Sequence, residues 1–425
     1  QSALGPPARR TMNPLAITVL MLAGFAAFAA LAWRKLAIVA ALAPEDRRGH
    51  VAHRLARLLR MGLGQSRLLS GDFRPGLMHA AIFFGFLALL VRKLHLIVIG
   101  YASMAMIPGT FGGLYTAFKD FIELAVLIAV AYGFWRRYVG PPARLEPNRE
   151  AILILSLIGL IMITDFGFDA FRFARYADVP AIAHEASWAW IGGALAAPLA
   201  GASIEVLTAG MHVMYWAQMI TVFTFLAILP VGEHFHIVTA LPAVYLGREL
   251  PVNRVPAVDL SPFSDDEADP DTMKIGAKTA LDLTWKEGLD VFTCTECGRC
   301  KVACPTFLTG KPLAQKWVND ALKHHLVAQA GAIRGNDAAA LPSLVGDVIS
   351  PDTLWACTSC GYCESACPIA LEHLPRFYRL RQRQVMMEGE FPHELNRLFS
   401  AYESQGNPWG LDAATRGNWA VEAKD

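Results

Sequence analysis

All eight cysteines of this 425-residue chain fall in two copies of one pattern, Cys-x-x-Cys-x-x-Cys-x-x-x-Cys-Pro. The first copy runs from Cys294 to Cys304 and the second from Cys357 to Cys367. This spacing wraps three thiolates around one face of a [4Fe-4S] cluster and sends the fourth thiolate to a second cluster, while the proline turns the chain away. Zinc sites use pairs of Cys-x-x-Cys, and a cytoplasmic location disfavours disulfides. The pattern therefore predicts two cubane clusters.

The crossed pattern predicts four thiolate ligands for each cluster. Those of the first cluster are Cys294, Cys297, Cys300 and Cys367. Those of the second cluster are Cys357, Cys360, Cys363 and Cys304. Two clusters in one domain carry electrons and are not by themselves a substrate site.

The chain is too apolar for a soluble protein of this size, and its long apolar runs lie in the N-terminal half. Of all residues 54% are hydrophobic and only 18% are charged, and an apolar run of about 20 residues is long enough to cross a bilayer as a helix. The net charge of +1 and the scattered basic residues do not predict a nucleic-acid partner. Five spans are predicted, at residues 13–42, 76–101, 114–138, 150–170 and 204–230.

The short loops predict the orientation of these spans. Seven arginines lie between the first two spans, and four more lie at or just after the end of the third; an excess of basic residues marks cytoplasmic loops. The N-terminus is then outside, and everything after about residue 231 is in the cytoplasm. We expect a multi-pass protein of the bacterial cytoplasmic (inner) membrane, in contact with lipid.

Two histidines lie at a similar depth in this arrangement. His79 is just inside the cytoplasmic end of the second span, and His236 follows Pro230 at the same end of the fifth span. Two neutral imidazoles that face each other across an apolar bundle meet the requirement for bis-histidine ligation of haem b. A histidine near a helix end is also often only an interfacial residue, and His234 is an alternative ligand.

A resemblance favours the haem. The stretches Leu77–Phe86 and Tyr215–Ile237 resemble the five-helix cytochrome b subunit of respiratory nitrate reductases. The resemblance implies that His79 and His236 bind one haem b near the cytoplasm. The family's other two ligand positions correspond here to Leu89 and Gln218, so it also implies the loss of the outer haem.

A second histidine pair, His95 and His212, leaves the number of haems open. Each lies six residues nearer to the outside than one of the two substituted positions, so on antiparallel helices they reach a common depth. At 100° per residue, however, His95 is about 160° around its helix from His79. The sequence predicts one haem and leaves a second one, or a quinone pocket at these residues, as the alternative.

The composition changes after Val244, where prolines and an acidic run at 265–271 mark a linker. We expect an all-α chain, with a five-helix transmembrane cytochrome b bundle followed by a cytoplasmic alpha-helical ferredoxin domain. The predicted parts are an N-terminal extension at 1–12, the transmembrane haem b and quinone domain at 13–245, a Pro-rich acidic linker at 246–275, the ferredoxin domain at 276–390 and a C-terminal tail at 391–425.

The cysteine half resembles the alpha-helical ferredoxin domain of succinate dehydrogenase iron-sulfur subunits and of the small heterodisulfide reductase subunit. The order of the two halves, with the closing stretch Glu403–Gly410, resembles the membrane iron-sulfur oxidoreductases encoded beside electron transfer flavoproteins. This resemblance implies a quinone-linked oxidoreductase that takes electrons from an electron transfer flavoprotein. Members of that family continue into a domain with Cys-Cys-Gly repeats, so we expect either a truncated chain or a separate subunit.

Two alternatives remain at this point. Electrons could instead flow from quinol to a cytoplasmic reductase of the heterodisulfide or sulfite type, or the chain could be a non-catalytic anchor and relay. The sequence names no catalytic acid or base. Proton donors for quinone chemistry are suggested by position only, at Arg92, Lys93, His95 and Asp165.

Overall fold

The computed structural model describes residues 12–422 except 102–106, 108, 143, 147, 253, 255–256 and 259–273. The predicted N-terminal extension up to residue 11 and the acidic run of the linker lie outside the described residues. Within the described residues the regular structure is helical, apart from two isolated bridges. The predicted all-α fold class is confirmed.

The described residues of the first half of the chain form ten α-helices, five of them long. They are α1 (Pro14–Ala41), α2 (Val51–Arg57), α3 (Ser66–Gly71), α4 (Phe73–Tyr101), α5 (Gly109–Tyr138), α6 (Arg149–Arg175), α7 (Pro180–Trp188), α8 (Trp190–Ala196), α9 (Ile204–Ile228) and α10 (His236–Tyr245). Side chains define the starts of three of the long helices, because the Asn13, Asn148 and Ser203 side chains accept hydrogen bonds from backbone N–H groups of the first turn.

The second half forms shorter helices around the two cysteine motifs. They are α11 (Trp285–Thr293), α12 (Arg299–Ala303), α13 (Pro305–Leu308), α14 (Gln315–Ala328), α15 (Ala330–Arg334), α16 (Pro351–Trp355), α17 (Tyr362–Ala366), α18 (Leu374–Gln382), α19 (Leu395–Gln405) and α20 (Asn418–Glu422).

Four helices in the described part of the chain, α1, α4, α6 and α9, are long and apolar enough to cross a membrane. They coincide with four of the five predicted spans and indicate a membrane protein. The remaining predicted span, 114–138, lies in α5, which has 30 residues. Its buried face carries the charged residues Lys119, Asp120 and Glu123, so α5 is not among the four. The count of five spans stays a prediction.

The bundle is built around α6, which packs against α5, α8 and α9, while α1 packs on α9 and α4 packs on α5. Residues from four of these helices, including Leu89, Val126, Ile158 and Phe225, share one apolar core. The outward faces remain apolar: Leu15 and Val19 of α1, for example, are 73% and 58% exposed. Exposed apolar side chains along a long helix are expected where the surrounding solvent is lipid.

The cysteine half sits directly on one end of the bundle. Ile38, Val39 and Leu42 at the end of α1 belong to the same apolar core as Val291 and Phe292 of α11. The backbone continues this contact, since the Ala43 N–H donates to the Leu283 carbonyl oxygen and the Trp285 N–H donates to the Ala43 carbonyl oxygen, both at 2.9 Å. The two halves are therefore packed together as one body at this end.

The arginine-rich segment between α1 and α4 forms a platform for the cysteine half. Arg47 binds Glu372 at 2.9 Å, and Arg67 donates to the Glu364 carbonyl oxygen at 2.9 Å. In return, Arg299 donates to the carbonyl oxygens of Arg67 and Leu68, both at 3.1 Å. The segment whose arginines predict the orientation of the spans is also a docking surface.

Candidate functional site: a cavity between the bundle and the cysteine motifs

The two cysteine motifs fold into the same loop. The residue two positions after the first cysteine has a positive φ in both copies, 51° at Glu296 and 57° at Ser359. The residue four positions after the first cysteine is a glycine with a positive φ in both copies, Gly298 and Gly361. Each loop then enters a short helix, α12 or α17. Equal spacing thus produces equal backbone geometry, as a repeated binding loop requires.

The loops exchange their last cysteines, as the spacing predicts. One small pocket is lined by Cys294, Cys297, Cys300 and Cys367. At the other loop, Cys304 interacts electrostatically with Cys357. The structure therefore brings together the four residues predicted to bind the first cluster. It also places Cys304 near Cys357, which are two of the predicted ligands of the second cluster.

The thiols of these loops are withdrawn from water. Burial raises the pKa of Cys294, and burial together with neighbouring cysteines raises the pKa of Cys367 to about 12. A buried thiol gives up its proton when a metal binds the sulfur. Backbone N–H groups already face two sulfurs, from Leu371 to Cys367 Sγ and from Ser359 to Cys357 Sγ, both at 3.4 Å. These contacts suit an iron-sulfur cluster, whose sulfurs accept such hydrogen bonds.

No group of three or more His, Cys, Asp or Glu side chains in the described ranges is arranged around a single metal ion. A cubane differs from such a site because each of its four irons takes a separate thiolate.

His79 of α4 and His236 of α10 face each other. Their ring centroids are 6.4 Å apart, and the ring planes are tilted by 35°. The His236 Nδ1–H donates to the Glu233 carbonyl oxygen at 2.8 Å, which leaves its Nε2 with a free lone pair. The His79 Nδ1 is buried, with no hydrogen-bond partner among the described residues.

This separation fits one metal ion between the two imidazoles. Metal–imidazole bonds measure about 2.0 Å, and a ring nitrogen lies about 1.2 Å from the ring centre, so two coordinated rings have centroids about 6.4 Å apart. The observed distance is 6.4 Å. The residues present therefore fit a haem iron that His79 and His236 would hold between them.

The other histidines are placed differently. His234 pairs with Glu150 through its Nδ1 at 2.6 Å, so that nitrogen already has a partner. His95 and His212 are not among the residues that line the cavity described next. A second haem on these two residues stays a prediction.

A cavity of about 890 Å³ joins the cysteine loops to the bundle. At one end it is lined by Cys297 and Pro368, which also line the pocket of the first cysteine group. His79 and His236 line it next, and Lys93 lies farther into the bundle. Half of the residues that line the cavity are leucine, isoleucine, phenylalanine or methionine. The cavity thus offers a continuous space from the predicted first cluster to the middle of the bundle, with charged side chains such as Arg299 and Lys316 at the cysteine end and apolar side chains within the bundle.

A network of buried charges borders the far end of this cavity. Arg92 binds Asp165 at 2.8 Å and Asp169 at 2.6 Å. Lys119 binds the same Asp169 at 2.7 Å and Glu123 at 3.2 Å. These five side chains are at most 1% exposed. Charges buried this deeply are expensive unless paired, and the pairing explains how α5 carries charges inside the bundle.

The structure also adds residues that the sequence analysis did not single out. Arg299 and Lys316 line both the cysteine pocket and the cavity. Arg299 could have been found from sequence, since it lies between two predicted ligands of one cluster. Lys316 lies twelve residues after its motif, and only the packing of α14 brings it there.

The fold and this site define a helical membrane protein with two cysteine motifs of the iron-sulfur type. Residues 286–368 match the 4Fe-4S dicluster domain family, which supports iron-sulfur clusters as cofactors. No solved structure matches the chain.

Among curated proteins, the chain is 30% identical over 402 residues to a probable iron-sulfur-binding oxidoreductase, FadF, of Bacillus subtilis, covering 85% of this chain and 54% of that protein. It is 28% identical to the EtfAB:quinone oxidoreductase of Syntrophomonas wolfei, covering 96% of this chain and 59% of the relative. It is 26% identical over 129 residues to one subunit of the ferredoxin:CoB-CoM heterodisulfide reductase of Methanosarcina mazei, covering 30% of this chain and 67% of that subunit. The chain thus spans a little over half the length of the first two relatives.

Proposed function

We propose that this chain is a quinone-linked oxidoreductase, or the membrane part of one. It passes electrons from a reduced cytoplasmic flavoprotein to a membrane quinone. The observation that carries the proposal is the cavity, because Cys297, the facing pair His79 and His236, and Lys93 line one continuous space. Two [4Fe-4S] clusters and one haem b, when bound, supply one-electron carriers along that line.

The chain's own residues set the order of the carriers. The second cysteine group, with Cys360 exposed, meets the donor. The first group shares Cys297 and Pro368 with the cavity, so it lies next to the histidine pair. His79 and His236 would hold a haem b, and the apolar side chains around them would exclude water from it. The balanced reaction transfers two electrons from the flavoprotein to the quinone, which takes up two protons.

The donor and acceptor are proposed from the relatives' names. One relative is called an EtfAB:quinone oxidoreductase, which supports an electron transfer flavoprotein as donor and a quinone as acceptor. Both oxidoreductase relatives are longer than this chain, so we propose that a further domain or a separate Cys-Cys-Gly subunit assists docking of the donor.

The packing of α5 and the basic loops also support a proposed membrane topology. We propose that α5 spans the membrane together with the four apolar helices, because its charges are paired inside the bundle with Asp169 of α6. With the arginine-rich platform in the cytoplasm, the cysteine half is cytoplasmic and the N-terminus is outside, in the cell inner membrane.

The reverse direction is the second candidate. Similarity to a heterodisulfide reductase subunit favours it, with quinol as donor and a cytoplasmic reductase as acceptor. The midpoint potentials of the carriers relative to the quinone decide between the two directions.

The first experiment measures cofactor content of the anaerobically purified chain. We expect one haem by pyridine haemochrome and about eight non-haem irons per chain, the content of two [4Fe-4S] clusters. His236→Ala should lose the haem and keep the iron, while the control His234→Ala keeps both, because His234 is paired with Glu150. Loss of haem in neither variant, or no haem in the wild type, would overturn the haem assignment, and two haems would favour His95 and His212 as further ligands.

The second experiment tests the transfer itself. Reduced electron transfer flavoprotein is mixed anaerobically with the chain, and haem reduction is followed before and after addition of a soluble quinone. We expect reduction of the haem and its reoxidation by quinone in the wild type. In His236→Ala the quinone reduction should fall by at least tenfold. If the flavoprotein and a chemical reductant both leave the quinone untouched, the chain is a relay and the proposal fails.

A further inference from the structure

Lys93 lines the deep end of the cavity and has one N–H donor that no described residue accepts. Its ammonium group binds the Asp165 carboxylate at 2.5 Å. With the Gln218 amide oriented so that its oxygen faces Lys93, that oxygen accepts a second hydrogen bond at 2.6 Å. An ammonium has three N–H donors, so within the described residues one remains. Lys93 lines the cavity and its side chain is 16% exposed, so the third donor has the cavity to point into.

The space around this donor suits a flat apolar group. Leu94 and Ile97 of α4 line this end of the cavity together with Met219 and Phe223 of α9. Ligand sites of this kind combine an apolar wall with a few placed polar groups that fix the ligand's orientation. One cationic donor in an apolar slot is complementary to a carbonyl oxygen on an apolar ring.

Lys93 lies far enough from His79 to leave room for a haem between them. Lys93 is 14 residues from His79 on the same helix, which places it about 21 Å farther along the axis at 1.5 Å per residue. A macrocycle centred between His79 and His236 does not extend that far along the helix. The deep end of the cavity is therefore a compartment that a haem held by His79 and His236 would leave open.

The buried charges hold Lys93 in place. Asp165 binds Lys93 through one carboxylate oxygen and Arg92 through the other, and Arg92 is held in turn by Asp169. A cationic side chain in an apolar wall is costly unless it is paired. The network thus offsets that cost and fixes the direction of the donor.

We propose that the deep end of the cavity is a quinone headgroup site, in which Lys93 donates to one quinone carbonyl oxygen. This inference rests on the proposed function for its choice of ligand. It goes further by naming the residue and the compartment, with Asp165 and Gln218 as positioning residues.

Equilibrium binding tests the site without turnover. Purified cofactor-loaded chain in detergent is dialysed against 2,3-dimethyl-1,4-naphthoquinone and, in a parallel arm, against a short-chain ubiquinone. Lys93→Met should weaken binding of the preferred quinone about ten- to hundredfold, as expected for the loss of a hydrogen bond from a charged donor. Lys93→Arg keeps a cationic donor and should stay within about threefold of wild type.

The matched control is Arg175→Met, which removes a cation from the same bundle outside the cavity lining. Arg175 is partly buried and bonded to Thr208 at 3.2 Å. Haem content and the rate of haem reduction by dithionite are measured for every variant, and a variant that has lost its haem is replaced by Lys93→Gln. With quinone turnover as a second readout, Lys93→Met should raise KM for quinone far more than it lowers the rate of haem reduction.

The outcomes separate this inference from the proposed function. Equal binding by wild type and Lys93→Met, an equal loss in Arg175→Met, or no binding of either quinone by the wild type overturns the headgroup site. Lys93-dependent binding without turnover supports the site and counts against the proposed reaction.

Discussion

The contact between Arg47 and Glu372 holds the cysteine half on the bundle, and its removal has a calculable effect. Arg47 follows α1, and Glu372 lies five residues after the last cysteine of the second motif. The two side chains are 10% and 7% exposed and meet at 2.9 Å. Glu372 also faces Lys286 at 3.6 Å and accepts from the Arg248 N–H at 2.6 Å. We expect Arg47→Ala to loosen the docking of the two halves.

The magnitude follows from the pKa of Glu372. Burial alone would raise that pKa, but Lys286 and Arg47 outweigh it and lower the pKa from 4.5 to about 2. At 1.36 kcal/mol per unit, this shift contributes about 3 kcal/mol to stability. Because the folded pKa is depressed, the contribution is present above about pH 4.5 and is lost as the pH falls towards 2. Arg47→Ala removes one of the two cations, so we expect a loss of about 2–3 kcal/mol at pH 7.

Native-state hydrogen exchange measures this loss locally. Amides of α11, which pack against the end of α1, should exchange roughly 30- to 150-fold faster in Arg47→Ala, since each 1.36 kcal/mol is a factor of ten. The control Arg48→Ala changes the neighbouring exposed arginine and should leave exchange unchanged. The double variant Arg47→Ala/Glu372→Gln should lose little more than either single variant, because the two residues act as a pair. Unchanged exchange of α11 in Arg47→Ala at pH 7 would refute the reasoning.

Three further predictions concern the clusters and the packing. Cys304→Ser should remove the second cluster and keep the first, which lowers non-haem iron from about eight to about four per chain. Cys367→Ser should instead remove the first cluster. If electron paramagnetic resonance showed that each variant loses only the cluster of its own motif, the exchange of ligands between the motifs would be contradicted. Gly276→Ala should destabilise the cysteine half and lower its iron content, because Gly276 has a φ of 76° and an added Cβ would collide with the Arg379 carbonyl oxygen; wild-type iron content and thermal stability would contradict this. Gly113→Ala should lower the thermal midpoint of the bundle, since its Cβ would lie 2.6 Å from the Trp188 ring; an unchanged midpoint would show that Trp188 moves freely.

Local sequence patterns were sufficient for the long helices and for the cysteine loops. The runs at 76–101 and 150–170 correspond to α4 (Phe73–Tyr101) and α6 (Arg149–Arg175), because hydrophobic length is a property of the segment itself. The repeated cysteine spacing likewise produced two loops with the same glycine conformation at Gly298 and Gly361. The facing of His79 and His236 was predicted from their similar depth together with the resemblance to the cytochrome b subunit, although the structure places His236 at the start of a separate helix, α10.

The features that sequence did not predict depend on partners far away in the chain. Lys119 lies within a predicted span, and its partner Asp169 is 50 residues later. Arg47 contributes to the basic loop that orients the bundle, and its partner Glu372 is 325 residues later. Each charge also has a local interpretation. Lys119 alone would count against a membrane span, and Arg47 alone would indicate a cytoplasmic loop. Only the packing of the helices shows which carboxylate each charge meets.

The two positions that depart from the cytochrome b pattern are filled by protein. Leu89 is 3% exposed and belongs to the core shared by α4, α5, α6 and α9. Gln218 is fully buried; it donates to the Ile161 carbonyl oxygen at 2.8 Å and accepts from Lys93. A haem between these two positions would have to displace both the leucine packing and the support of Lys93. Gln218 supports Lys93 through its amide oxygen, so one of the two departures from the cytochrome b pattern positions the donor that we assign to quinone, whereas Leu89 packs in the core and does not line the cavity.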